Sequence, residues 1–310
     1  MYISSETRLF IREHSTDDVR TLALQSKKYP DVDMPVAITQ IAGRQIAAEK
    51  IPSWKKIEDI RYPKHLSLEQ CSSEITAYYK AGFLQGDSLT DLTGGFGVDC
   101  SFLAEKFKSV TYVERQEELC GIAAHNFHIL GLNHINVKNE DGIAHLKAMS
   151  PVDFIFLDPA RRNEHGGKAV AISDCEPDVA ALEGLLLNKA KQVMVKLSPM
   201  LDLSLALREL QQTQEVHIIS VNNECKELLL ILGQTIPQEI KIHCVNLSTK
   251  GEQEGQHFTF TREQEQCSQC NYTDSLDEYL YEPNASLLKA GAFKSLSSAF
   301  PIRKLHPNSH

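Results

Sequence analysis

The sequence predicts a doubly wound α/β fold, flanked by an N-terminal helical segment and a small C-terminal α+β module. Three observations predict it. From residue 88 onward, apolar runs of strand length alternate with helical patterns across short connections. A glycine-rich turn, "DLTGGFGVD", joins the first such run to the first helix of the series. The last two runs, "EVHIISV" and "ELLLILG", are separated only by "NNECK". That gap is too short for a crossover helix, so these two strands pair antiparallel and close an otherwise parallel sheet.

Residues 1–65 read as mostly helical. "TDDVRTLALQS" offers Thr16 as an N-cap, with acids in the first turn and Val19, Leu22 and Leu24 on an apolar face. "KKYPDVDMP" is a loop, and "VAITQIAGRQIAAEKI" spaces Ile38, Ile41, Ile46 and Ile51 for a helix that "PSW" ends. A further helix follows, capped by Ser72 or Ser73. The region 66–235 then supplies the strands "SLTDLT", "SVTYVE", "INVKNE", "VDFIFLD", "QVMVKLS", "EVHIISV" and "ELLLILG". Its helices start near Val98, Gln116, Gly142, Val179 and Leu201. Over 236–310 the strands "EIKIHCVNL" and "HFTFTRE" precede a helical stretch, an arrangement read as a separate module, incomplete at "IRKLHPNSH".

Composition narrows the class. With 310 residues, 42% of them hydrophobic, the chain is a globular protein of about two domains. It carries no apolar run long enough to cross a bilayer and no signal-peptide pattern at its start. Eight scattered cysteines in a chain of this size read as reduced thiols in a cytoplasmic protein. A net charge of −9 argues against a protein that coats polyanions generically, though a local basic patch remains compatible with RNA.

The glycine turn excludes two ligands by spacing. A dinucleotide fingerprint starting at Gly95 would need a third glycine where Cys100 stands, and no Gly-Lys-Ser/Thr ends a phosphate loop. What remains is an acid at the strand end followed by glycines, D-x-x-x-G-x-G, met by Asp91, Gly95 and Gly97 with Gly94 as an extra. This suits S-adenosylmethionine: the backbone comes close at the glycines, and Asp91 reaches the ammonium group. A tight turn needing flexible residues would look the same. Two further acids favour an adenosine ligand. Glu114 ends the second strand, suited to ribose hydroxyls, and Asp141 ends the third, suited to the adenine amine with Gly142 beside the ring.

"DLTGGFGVD", "YVERQEELCGIAAHNFHILGL", "NEDG" and "FIFLDPARR" resemble the motifs of class I S-adenosylmethionine-dependent methyltransferases, with a Rossmann-like seven-stranded sheet. Asn126, Leu130 and Gly131 match the "N…LG" of RNA-modifying members. End to end, the chain resembles a bacterial methyltransferase family with a C-terminal THUMP-like segment, through "LALQSKKYPDVDMP", "YPKHLSLEQCSSE", "DPARR", "KLSPMLDL" and "EYLYEPNASLLKAGAFKSL". The expected cofactor residues are Gln70, Ser72, Asp91, Thr93, Gly94, Gly95, Gly97, Glu114, Arg115, Asp141, Gly142 and Asp158. The resemblance implies methyl transfer to RNA, tRNA or rRNA. Its rivals are an inert RNA-binding relative and an enzyme acting on a small molecule or protein.

At the fourth strand tip, Asp158, Pro159 and Arg161 are the expected catalytic residues: a stiffened carboxylate to orient the acceptor, and a guanidinium for phosphate or ribose. Arg162 shares that role with Arg161; an internal ion pair from one of them to Glu164 or Asp174 is the competing use, and His165 is a base candidate that more often would be idle on the surface. A pyrimidine C5 mechanism lacks its nucleophile, because Leu197 occupies the cysteine position and Cys175 reads as a buried thiol. The single Cys-x-x-Cys at 267–270 lacks a second pair, so no metal is expected. Lys27, Lys28, Lys55 and Lys56 favour nucleic acid mildly and are also ordinary solvated helix ends.

Overall fold

The structure is a computed structural model, describing residues 3–161, 171–249, 255–276 and 278–308. The chain forms two compact units, 1–148 and 149–310.

The first unit begins with α1 (Ser5–Glu13), α2 (Val19–Leu24), α3 (Met34–Lys50) and α4 (Pro52–Lys55). Ser4, Asp18 and Asp33 cap the first three, each side chain accepting the N–H three residues on. The second helix is thus capped by Asp18 and not by Thr16. It starts at Val19, and the Asp18 carboxylate accepts both the Thr21 N–H and its hydroxyl at 2.8 Å. Phe10, Leu22, Met34, Ala37 and Ile41 form the buried seam of these helices. Next come α5 (His65–Gln70) and α6 (Glu74–Gly82), the latter starting after Ser73 as expected.

Three βα pairs complete this unit: β1 (Gly86–Asp91) with α7 (Val98–Ala104), β2 (Phe107–Glu114) with α8 (Glu117–Ile129), and β3 (Ile135–Asn139) with α9 (Gly142–Ala148). The strands run parallel, with Asp91 opposite Tyr112 and Glu114 opposite Asn139, so their carboxyl ends lie together. The "N…LG" mark is structural here. Asn126 holds the Arg61 backbone through two bonds of 2.9 Å, and Gly131 (φ +76°) ends α8.

The second unit contains β4 (Val152–Leu157), the short pair β5 (Ala160–Arg161) and β6 (Cys175–Glu176), α10 (Val179–Lys189), β7 (Ala190–Leu197), α11 (Leu203–Glu209), β8 (Thr213–Val221) and β9 (Glu224–Gly233). β4 and β7 are parallel, and β9 lies antiparallel between β7 and β8, as the short connection required. Asn222 and Asn223, at φ 50° and 64°, make the two-residue turn; asparagine tolerates the left-handed region there. Leu228 to Leu232 are all buried, which explains why that strand reads as one apolar run.

The C-terminal strands, β10 (Lys241–Leu247) and β11 (Gln256–Thr261), continue this unit's sheet: β10 pairs parallel with β8, and β11 antiparallel with β10. Beyond them lie α12 (Arg262–Cys267), α13 (Ala285–Ala290) and α14 (Phe293–Ala299). Glu265 caps α14 from a neighbouring helix. Its carboxylate accepts the N–H groups of Phe293, Lys294 and Ser295 at 3.1, 2.9 and 2.8 Å. Glu265→Ala should therefore fray α14 at a cost of about 1–2 kcal/mol, read as faster proteolysis confined to residues beyond 262. The mixed α/β class with mainly parallel strands holds. Among the described residues, no helix is long and apolar enough to cross a membrane.

Candidate cofactor turn and acceptor strand

The loop between β1 and α7 is built on one carboxylate. Glu114, at the end of β2 and 9% exposed, accepts the Gly95 N–H through Oε2 at 2.9 Å and the Gln116 N–H through Oε1 at 2.8 Å. Each oxygen retains acceptor capacity for a hydroxyl. Asp91 is buried at the end of β1, and its Oδ1 accepts the Thr93 N–H at 3.0 Å. Tyr112 donates its hydroxyl to the Gly95 carbonyl at 2.6 Å from beneath the loop. Burial, and after it the Glu114 and Asp91 carboxylates, push the Tyr112 phenol far above its ordinary value, so it stays a donor.

The glycines divide by role. A Cβ on Gly94 would meet the Tyr112 ring at 2.2 Å, and one on Gly97 (φ +85°) would meet Phe127 at 2.8 Å. Both positions are closed by the protein's own aromatic side chains. Gly95 (φ +56°) differs: a Cβ there would meet only the Thr93 carbonyl, at 3.8 Å. The open approach to the backbone is thus at Gly95, between the acids that end β1 and β2. Between Gly95 and Gly97, Phe96 packs edge-on against Trp54 at 5.2 Å, tying the turn to the N-terminal helices.

The other expected cofactor residues of this unit differ in their surroundings. Thr93 is half-buried beside Asp91, and Arg115 is exposed next to Glu114. Asp141 caps α9, its Oδ1 accepting the Ala144 N–H at 2.8 Å, while Gly142 lies so close to the Leu92 carbonyl that a Cβ would fall 2.3 Å from it. Gln70 is exposed at the end of α5. Ser72 is buried in a polar cluster that the sequence does not announce: its hydroxyl donates to Asp99 Oδ2 at 2.7 Å and accepts from Lys80 at 2.9 Å. Lys80 is fully buried and sits 2.8 Å from Asp99 Oδ1.

In the second unit, Asp158 follows β4, and Lys196 near the end of β7 donates to its Oδ2 at 2.5 Å. Lys196 lies in the expected "QVMVKLS" strand but gives no sign there of being a partner. Pro159 is buried, and the Arg161 backbone pairs with Cys175 across β5 and β6. Cys175 and Leu197 are both buried. Arg162, Glu164 and His165 lie outside the described residues.

A basic cavity of about 280 Å3 lies among the N-terminal helices. Arg8, Arg12, Arg44, Arg61 and His125 line it, with Glu58 and Asp59 at the same wall; Arg8 pairs with Asp59 at 3.0 Å. Tyr62 also lines it, 2% exposed, and its hydroxyl has no hydrogen-bond partner among the described residues. That tyrosine is rigidly set. Gln40 bonds its backbone N–H and C=O at 2.9 Å each, and Gly43 packs so closely that a Cβ there would fall 2.3 Å from the Tyr62 Cβ. Burial pushes the phenol up to about 12, against the opposing pull of Arg44, so the hydroxyl remains a donor.

A ferredoxin-like domain family matches residues 279–310, where the sequence resemblance suggested a THUMP-like segment. No curated protein matches the chain. The crystal structure of a "putative methyltransferase from Porphyromonas gingivalis W83" is similar over 100% of this chain and 78% of that chain, with 35% identity and a TM-score of 0.85. An rRNA methylase from Streptococcus thermophilus (14% identity, 51% of this chain, 93% of that chain, TM-score 0.37) is a much slighter likeness. So is a "putative methyltransferase from streptococcus mutans in complex with SAH" (13% identity, 52% and 96%, TM-score 0.36). Likenesses of that size carry no argument about ligand or acceptor. The first is of another order, and with a third of the residues identical across its whole length, this chain belongs to the methyltransferase family of the Porphyromonas gingivalis protein.

Proposed function

We propose that this chain transfers a methyl group from S-adenosylmethionine to RNA. The observation that carries the reading is the open backbone at Gly95, set between Asp91 and a Glu114 whose two oxygens are already aimed by backbone N–H groups. That donor set fits an adenosine ligand without phosphates: Glu114 for the ribose hydroxyls, Asp91 for the ammonium group, and the Asp141–Gly142 turn for the adenine edge. S-adenosylmethionine supplies the methyl group as an electrophile on sulfur. Asp158 and Pro159 are assigned to the acceptor on the sequence pattern, with Lys196 holding the Asp158 carboxylate in one orientation. A THUMP-like role in RNA contact for the C-terminal residues belongs to the same reading.

RNA is favoured over a small neutral acceptor by the arginine-lined cavity. Guanidinium groups suit phosphate oxygens, and they form a local positive surface on an acidic chain. Incubation with methyl-labelled S-adenosylmethionine and total RNA from a strain lacking the protein should label nucleosides. Label found only in protein or metabolites would overturn the RNA assignment. Arg44→Glu should weaken RNA binding by about tenfold or more and leave affinity for S-adenosylmethionine unchanged.

A further inference from the structure

We infer that Glu215, His217 and His243 form a binding site for a divalent transition-metal ion of the zinc class. The strands bring the three together. Residues 215 and 217 alternate onto one face of β8, and His243 is the direct register partner of His217 on β10. The two imidazoles stack with centroids 4.4 Å apart and planes 16° apart, so one ring must turn for both lone pairs to meet a single ion; one atom from each of the three side chains lies within 4.8 Å of the others.

The two distances from the carboxylate suit co-ligands. Glu215 Oε2 lies 3.5 Å from His217 Nε2 and 3.6 Å from His243 Nε2, too far for good hydrogen bonds. Bonds of about 2.1 Å arranged tetrahedrally around one zinc ion put neighbouring ligand atoms about 3.4 Å apart. His243 Nε2 is buried and takes no hydrogen bond among the described residues. Its Nδ1 meets the Thr259 hydroxyl at 3.0 Å. With that hydroxyl accepting the Nδ1 proton, Nε2 carries the lone pair, as outer partners of metal-bound histidines commonly arrange.

Lys241, the register partner of Glu215, is exposed, which leaves its ammonium in water. Two histidines and a glutamate are a known zinc set with room for a further ligand. The ion would bridge β8 and β10, clamping the C-terminal strands to the rest of their sheet.

The test is Co2+ and Zn2+ titration of the chelator-treated full chain, wild type against His243→Asn and Glu215→Gln. Both side chains are partly exposed, and circular dichroism checks that the variants fold. One equivalent of Co2+ with visible d–d absorption is expected, displaced by Zn2+. Affinity should fall by about tenfold or more in each variant. Absence of binding, or equal affinity in His243→Asn, would overturn the site. An intense thiolate-to-cobalt band would also overturn it, because that places the ion on cysteines such as Cys267 and Cys270.

Discussion

Lys80→Ala should destabilise the protein by about 3–5 kcal/mol, the range for breaking a buried ion pair from one side. Lys80 is fully buried, and the Asp99 side chain that it pairs with is only 10% exposed. With the ammonium gone, a carboxylate remains in the interior without its counter-charge, still accepting from the Ser72 hydroxyl. The loss falls at the junction of α6 and α7, where the cluster also fixes residue 72, so the glycine turn should loosen with it. Replacing both charges, Lys80→Met with Asp99→Leu, should recover most of the loss, because an apolar pair of similar volume leaves no buried charge. Ser72→Ala should cost less than Lys80→Ala. Urea unfolding of the four proteins checks the order. A Lys80→Ala variant as stable as wild type would mean that the cluster contributes nothing.

Glu114→Gln should cost about 1–3 kcal/mol, the penalty for leaving a buried polar group unsatisfied, and lower affinity for S-adenosylmethionine by more than tenfold. The carboxylate accepts on both oxygens, from Gly95 and from Gln116. A carboxamide has one acceptor oxygen, so its NH2 must face one of these N–H groups. Glu114→Asp keeps the charge but is one methylene shorter, so it should lose affinity while keeping more stability than Glu114→Gln. Unequal losses of stability and affinity across the two variants separate a loop-building role from ligand contact.

Much of the fold was legible in the sequence because local signals and tertiary demands agree. The helices begin at Val98, Gly142 and Val179 as expected, and the "NNECK" gap announces the antiparallel pair. The acids at 91 and 114 were legible as strand ends for the same reason, whereas Asp141 lies two residues past β3 and caps α9. What stayed hidden depends on partners far along the chain. Lys80 sits in "AYYKAG", where a lysine reads as solvated until Asp99 and Ser72 are seen around it. Gly94 and Gly97 look like ligand glycines. Only the Tyr112 and Phe127 rings reveal that packing already demands them, leaving Gly95 as the open one. The cavity arginines, at 8, 12, 44 and 61, form no run in sequence. The Glu215, His217 and His243 group is invisible to spacing rules, because β8 and β10 are neighbours in the sheet with β9 between them in the chain.

The most direct measurement is a calorimetric titration of S-adenosylmethionine into the wild-type protein and into folded Glu114→Gln. Saturable heat at one site on the wild type, weakened by more than tenfold in the variant, is the expected result if the Gly95 turn is where the methyl donor binds. No heat from the wild type, or the same affinity in both proteins, would contradict it.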